Sequence, residues 1–238
     1  MKFLLTSGGV RNASIRAALV DLLGKPIEES AALCVPTAIY TGPDGPGHGY
    51  RVITGRTNNP MVDLGWKSMG VLELTSLPSL DQEAWAAAVR KTDALLVYGG
   101  DVMYLCYWMR TSGLADLLPA LRDTVYVGVS SGSMVLTPSF GTPYDDWFCR
   151  EPPAPASNLP LADDRALGLV DFSIFPHVDI PSSPQNSMPN AELWASWQSN
   201  PTYAIDDQTA IRVVDGAVDV ISEGHWKRFA PPGADRKD

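Results

Sequence analysis

The sequence predicts an α/β protein: a mostly parallel, doubly wound sheet in a three-layer sandwich, with a β-hairpin near the C-terminus. Three observations predict it. Short apolar runs alternate with helix-periodic segments, the pattern of βα units joined by right-handed crossovers. Ala94–Tyr98 and Val125–Val129 are apolar or small throughout, as strands buried on both faces are. Asp215-Gly216 separates the runs Thr209–Val214 and Ala217–Ser222, the form of a tight hairpin. At 238 residues, with 45% hydrophobic and 19% charged residues, the chain reads as one globular domain, 1–238. It shows no internal repeat, low-complexity tract or linker.

The elements follow in order. Lys2–Thr6 reads as a first strand, ending in Ser7-Gly8-Gly9. Asn12 caps a helix through Leu23, with Ile15, Ala18, Leu19, Leu22 and Leu23 on one face. Ala32–Ala38 and Gly70–Leu74 are further strands. The segment Thr41–His48, dense in glycine and proline, reads as a loop. Ser79-Leu80-Asp81-Gln82 has the capping-box form and opens a helix through Arg90. A buried strand, Ala94–Tyr98, closes in Gly99-Gly100, and a helix follows over Val102–Met109. Val125–Val129 runs into Ser130-Ser131-Gly132-Ser133. Cys149–Leu161 is loop-like, and Val170–Phe175 is a short strand before Pro176-His177.

Charge and cysteine content narrow the function. Lys and Arg number 18 against 27 Asp and Glu, a net charge of −9. Such a chain repels phosphate backbones and anionic membrane surfaces, so neither nucleic acid nor membrane is an expected partner. The first residues lack the apolar core of a signal peptide, and no stretch is long enough to span a bilayer. Cys34, Cys106 and Cys149 fit neither a disulfide framework nor a zinc site. The expectation is a cytoplasmic protein with reduced thiols, no metal and no cofactor.

Polar clusters follow three of the strands, after Tyr98, Val129 and Phe175, at the edge where parallel sheets carry their sites. Gly128-Val129-Ser130-Ser131-Gly132 matches G-x-S-x-G, the nucleophile elbow. A sharp strand-to-helix turn pushes the Ser130 hydroxyl over the sheet edge. The helix N-terminus then aims N–H groups at a developing oxyanion. A serine needs a base. His48 lies in the Gly/Pro segment, and His225 follows the hairpin. His177 ends a strand at the edge expected for Ser130, which makes it the candidate base. Asp145, Asp146, Asp206 and Asp207 are candidates for the acid that orients it. Asp179 is too close in sequence to orient His177 easily and is instead a candidate for binding a substrate amine. Ser131 and the Gly99-Gly100 turn are candidate oxyanion donors. An α/β-hydrolase is disfavoured, because the base follows the serine too soon and no HGGG-type segment is present.

Four segments together resemble the peptidase E family of serine peptidases, the aspartyl dipeptidase group. They are Tyr98-Gly99-Gly100-Asp101 with Tyr104-Leu105, the elbow Gly128–Ser133, Pro176-His177-Val178-Asp179, and Ala204-Ile205-Asp206-Asp207-Gln208-Thr209-Ala210. The resemblance spans roughly residues 1–229 and implies a fold related to class I glutamine amidotransferases. It implies Ser130 as nucleophile, His177 as base and Asp145 as the acid. Beside it, the reading of the residues keeps Gly100 and Ser131 at the oxyanion hole, with Gly99, Asp101 and Asp179 as candidates for binding the substrate. The implied activity is hydrolysis of short peptides, typically dipeptides with N-terminal aspartate, without metal or cofactor. A homodimer is compatible with this reading. Two departures stand out. Ser131 occupies a position where the family usually has alanine. The segment Pro181–Glu192 also lacks the arginine thought to read the substrate's aspartate, leaving Arg150, Arg110 and Lys67 as substitutes. Trp147 is the tryptophan best placed in sequence to line a pocket near Asp145. The competing readings are a cyanophycinase-like hydrolase of β-aspartyl bonds and a non-catalytic small-molecule-binding protein of the same fold.

Overall fold

A computed structural model describes residues 1–57, 60–140 and 165–232. The chain begins with β1 (Lys2–Thr6), α1 (Ala13–Leu23), β2 (Ala31–Val35), α2 (Gly45–Ile53) and β3 (Ser68–Val71). It continues through α3 (Gln82–Arg90), β4 (Ala94–Val97), α4 (Val102–Thr111), α5 (Leu114–Leu117), β5 (Val125–Val129) and α6 (Ser131–Met134). The last part holds β6 (Ser173–Phe175), α7 (Met188–Ala195), β7 (Thr202–Ile205), β8 (Thr209–Val214), β9 (Ala217–Ser222) and β10 (Trp226–Phe229).

Seven strands form one sheet in the order β3-β2-β4-β5-β1-β8-β9. The first five are parallel; β8 pairs antiparallel with β1 and turns through the expected hairpin into β9. Alternation along the strands sorts the core onto two faces. Leu4, Leu96 and Val127 point toward Ile15, Leu19 and Leu22 of α1. Phe3, Leu5, Leu95 and Val97 pack on the other face with Trp85 of α3 and Val102, Leu105 and Met109 of α4. Each fully buried leucine or isoleucine contributes about 2 kcal/mol, several times the helix propensity of a residue, so packing rather than propensity holds α1. Asn12 caps that helix by accepting from the Ile15 N–H at 2.9 Å.

Three sequence expectations are corrected. Residues 41–48 do not form a simple loop, because α2 begins at Gly45. Pro46 is tolerated in its first turn, where an N–H has no helical partner. Its glycines serve close packing: a Cβ on Gly45 would fall 2.6 Å from the Tyr40 carbonyl oxygen. The α3 cap is Asp81, which accepts from the Ala84 N–H at 3.0 Å; Ser79 instead ends a 3-10 turn over Leu74–Ser79. Finally, the strand before His177 is shorter than expected and is not in the main sheet. β6 pairs parallel with β7, and β7 pairs antiparallel with β10, in a separate three-stranded sheet. The candidate loop Cys149–Leu161 lies outside the described residues.

The turn after β5 depends on close backbone approach. Tyr126 is buried and donates its hydroxyl proton to the Gly132 carbonyl at 2.6 Å. A Cβ on Gly132 would collide with the Val97 carbonyl oxygen at the end of β4. Gly132→Ala is therefore expected to destabilise the protein by about 3 kcal/mol, since a rigid backbone has to move. Urea unfolding checks this; a midpoint equal to wild type would contradict it.

Candidate active site

Ser130 leaves β5 with φ 55° and ψ −121°, a conformation L residues rarely adopt. Strain of this kind costs about 1–3 kcal/mol and persists only where surrounding contacts enforce it. Here they do. The Ser130 N–H donates to the Thr6 carbonyl at 3.1 Å, and the Ser133 hydroxyl donates to the same oxygen at 2.8 Å. The Ser131 hydroxyl donates to the Gly100 carbonyl at 2.6 Å. The next peptide N–H, of Asp101, donates to Thr41 Oγ1 at 3.1 Å. The peptide after Gly100 is thus held from both sides. Gly100 itself sits at φ 146°, and a Cβ there would collide with the Ala38 carbonyl, so the position requires glycine. Ser131 therefore uses its departure from alanine to strap the elbow to the neighbouring glycine turn.

Ser130 and His177 line one cavity of about 380 Å³, together with Thr41, Gly42, His48, Tyr98, Gly99, Gly100 and Asp101. A larger cavity, about 470 Å³, lies among Phe3, Phe172, Tyr203 and Val213 at the opposite end of the sheet. It is mainly apolar and its lining has no serine, threonine, cysteine or histidine, so the smaller one is the candidate site.

His177 reaches this cavity from the turn after β6, with φ 59°. Its Nδ1 lies 2.6 Å from Asp207 Oδ1. Ser7, fully buried at the end of β1, joins the two: its hydroxyl donates to Asp207 Oδ1 at 2.9 Å and accepts the His177 backbone N–H at 2.7 Å. Arg11 Nη2 stands 3.7 Å from Asp207 Oδ2. Burial alone would raise the Asp207 carboxyl. The hydrogen bond and charge of His177, the Ser7 hydroxyl and the Arg11 guanidinium outweigh it and hold the group below its ordinary value. An ionised Asp207 accepts from Nδ1–H, which leaves the Nε2 lone pair as the basic site of the ring.

Of the residues expected at the site, Ser130, His177, Gly99, Gly100 and Asp101 meet at the cavity, and Ser131 adjoins it. Asp145, Asp146, Trp147 and Arg150 lie outside the described residues. The acid facing His177 in the structure is Asp207, which the sequence reading held as an alternative. Asp179 does not line the cavity; its two carboxylate oxygens meet the Met188 N–H and His225. Asp101 Oδ1 caps α4 through the Tyr104 N–H at 2.7 Å. Arg110 donates to the Arg165 and Ala166 carbonyls, and Lys67 acts on Asp93 at the far end of the sheet. His48, in a segment whose glycines and prolines predict a loop, is carried on α2 into the cavity wall, and Ser7 stands in a Ser-Gly-Gly turn with no local signal of a role. The Cys34 thiol is pushed up to about 12 by burial and the nearby Glu73, which leaves it inert. Among the described residues no group of three His, Cys, Asp or Glu side chains could hold a metal ion, and no helix is long and apolar enough to cross a membrane.

A strained serine at the carboxyl end of a central parallel strand, sharing a cavity with a histidine held by a partly buried carboxylate, defines a serine-type hydrolase built on an α/β sheet. The chain belongs to peptidase family S51, whose model matches residues 3–221, and it is a serine-type peptidase. A structure from Listeria monocytogenes EGD-e, described as a candidate peptidase E protein, is similar with a TM-score of 0.66 and 18% identity, covering 94% of this chain and 98% of that one. A peptidase from an acI-B1 actinobacterium has a TM-score of 0.62 and 15% identity, covering 97% and 94% of the two chains. Among curated proteins, the uncharacterized peptidase Lin0382 of Listeria innocua serovar 6a is 28% identical over 94 residues. That match spans 39% of this chain and 42% of the relative's length.

The lowered Asp207 carboxyl ties stability to pH. Its stabilisation is complete above the unfolded value, about 4, and is lost as pH falls through the lower folded value. The difference in thermal midpoint between wild type and Asp207→Asn should therefore be present above about pH 4 and shrink below it. Calorimetry from acid to neutral pH checks this, and a gap that widens in acid would contradict it.

Proposed function

We propose that the protein hydrolyses short peptides, most favourably dipeptides with N-terminal aspartate, through an acyl-enzyme on Ser130. The observation that carries this reading is the shared cavity of Ser130 and His177, with His177 Nδ1 held by Asp207. His177 Nε2 takes the Ser130 proton as Oγ attacks the scissile carbonyl. The N–H groups of Ser131 and Gly100 stabilise the tetrahedral oxyanion. His177 then passes the proton to the leaving amine, the C–N bond breaks and the acyl group stays on Ser130. A water molecule, deprotonated by His177, attacks the ester; the acyl C–Oγ bond breaks, His177 returns the proton to Ser130 Oγ and the acid product leaves. Asp207 keeps the ring oriented and stabilises its charged form.

The cavity's other polar groups suit a small zwitterion. Asp101 supplies a negative charge for the substrate's free ammonium. His48 is the imidazole other than His177 among the described lining residues, which supports it as the group that would meet the substrate's acidic side chain.

Cleavage of Asp-Leu, isoaspartyl-Leu, Glu-Leu and Ala-Leu tests the reading. Asp-Leu should be the best substrate. Ser130→Ala and His177→Ala should each lose about 10⁴-fold in kcat/KM while staying folded. Asp101→Asn, which preserves the helix cap, should raise KM about tenfold with little change in kcat. Turnover of Asp-Leu by Ser130→Ala at the wild-type rate would overturn the mechanism. Preference for isoaspartyl-Leu would move the substrate to β-aspartyl bonds. Failure of wild type to react with either peptides or a serine-directed phosphonate would favour a binding protein.

A further inference from the structure

A second histidine–carboxylate arrangement lies directly behind the first and is not accounted for by the chemistry above. His225, in the turn between β9 and β10, places Nε2 3.0 Å from Asp179 Oδ2 and Nδ1 3.0 Å from Asp206 Oδ2. Its backbone N–H also donates to Asp206 Oδ2 at 2.8 Å. Asp206 is buried, and its other oxygen accepts from the Gln208 N–H at 3.1 Å and the Thr209 hydroxyl at 2.6 Å. A Cβ on the preceding Gly224 would collide with the Asp206 carboxylate, so this turn lies against it closely.

The partners of His225 are the sequence neighbours of the proposed catalytic pair. Asp179 is two residues after His177, and Asp206 immediately precedes Asp207. The contacts close a ring: His177 to Asp207 by hydrogen bond, Asp207 to Asp206 by the chain, Asp206 to His225 to Asp179 by side chains, and Asp179 back to His177 through Val178. Within that ring, His177 and Asp179 both have positive φ, at 59° and 55°. Two strained non-glycine residues in three need outside contacts to stay in place. The Asn186 carbonyl and the Met188 N–H hold Asp179 from one side, and His225 holds it from the other.

We propose that His225 is a positioning residue: it latches the strained His177–Asp179 turn onto Asp206 and so keeps the His177 ring aligned between Asp207 and Ser130. This rests on the reading of His177 as the base. Stability is not the expected readout, because His225 is 54% and Asp179 43% exposed in their side chains, and such pairs contribute little. Alignment of a proton-transfer group is far more sensitive to small displacements.

The test compares wild type, His225→Ala, Asp179→Asn and the double variant in the full chain. Each single variant should lose about tenfold in kcat on Asp-Leu, with KM within about twofold and the thermal midpoint nearly unchanged. The double variant should lose no more than the worse single one, since both break the same latch. Two further readouts do not depend on the peptide substrate. The downfield Nδ1 proton of His177 in NMR spectra should be sharp in wild type and broadened or shifted in His225→Ala. Labelling of Ser130 by a fluorophosphonate should slow by a similar factor to kcat. Labelling and NMR signals that match wild type in His225→Ala would overturn the latch. If wild type cleaves none of the peptides, the substrate reading fails, while these two signals still decide the role of His225.

Discussion

Only three residues, Asp206-Asp207-Gln208, join β7 in the small sheet to β8 in the large one, and the site depends on that crossing. β7 ends at Ile205 in the small sheet, and β8 begins at Thr209 in the large one. His177 comes from the small sheet, while Ser130 and Ser7 come from the large one. A proposed base and nucleophile carried on different sheets hold a common geometry only if something fixes one frame to the other. Asp207 does so from the crossing itself, accepting from His177 on one side and Ser7 on the other. The Ser7 hydroxyl completes the knot with the His177 backbone N–H. Charge-assisted hydrogen bonds in a partly buried setting are the strong kind, and here they orient as well as stabilise.

Strain is concentrated where this geometry is needed. Ser130, His177 and Asp179 all have positive φ, and the costs of about 1–3 kcal/mol each are not offset locally by glycine. They are offset by hydrogen bonds of about 1 kcal/mol each, spread over β1, β4, β5 and the crossing. At the elbow these come from the Ser130 N–H, the Ser133 hydroxyl, the Tyr126 hydroxyl and the Ser131 hydroxyl. The fully buried parallel strands cannot shift to relieve the turn without breaking their own ladders, so the serine stays aimed at the cavity.

Local sequence signals carried much of this and lost the long-range part. The apolar runs, the Asn12 cap, the Asp215-Gly216 hairpin and the G-x-S-x-G turn are encoded within a few residues, and each was legible. His177 was legible as a polar residue closing a strand, although its strand proved to belong to a second sheet. Asp207 could not be ranked above its alternatives, because what selects it is the pairing of β7 with β6 and β10 rather than with the main sheet. Partner choice of that kind leaves no trace in period or composition. Ser7 was hidden for the same reason: its partners are 170 and 200 residues away. The glycines near His48 signalled a loop because their close packing on Tyr40 is a tertiary fact. The helix they form is what brings His48 to the cavity.

How the cavity would meet the acidic side chain of the proposed substrate follows from what it lacks. Arginine meets a carboxylate with two parallel N–H groups, whereas an imidazole offers one donor in any single direction. Among the described lining residues the cavity has no arginine or lysine, and Asp101 places a negative charge beside the glycine turn. The net charge of −9 adds a long-range field that opposes an anionic ligand. A proposed substrate with a free ammonium would offset that field at Asp101, so its amine would contribute to binding while its side chain met a single donor. On the proposed reading, discrimination would rest more on the ammonium and on alignment at Ser130 than on the acidic side chain. An arginine-lined cavity would reverse that order.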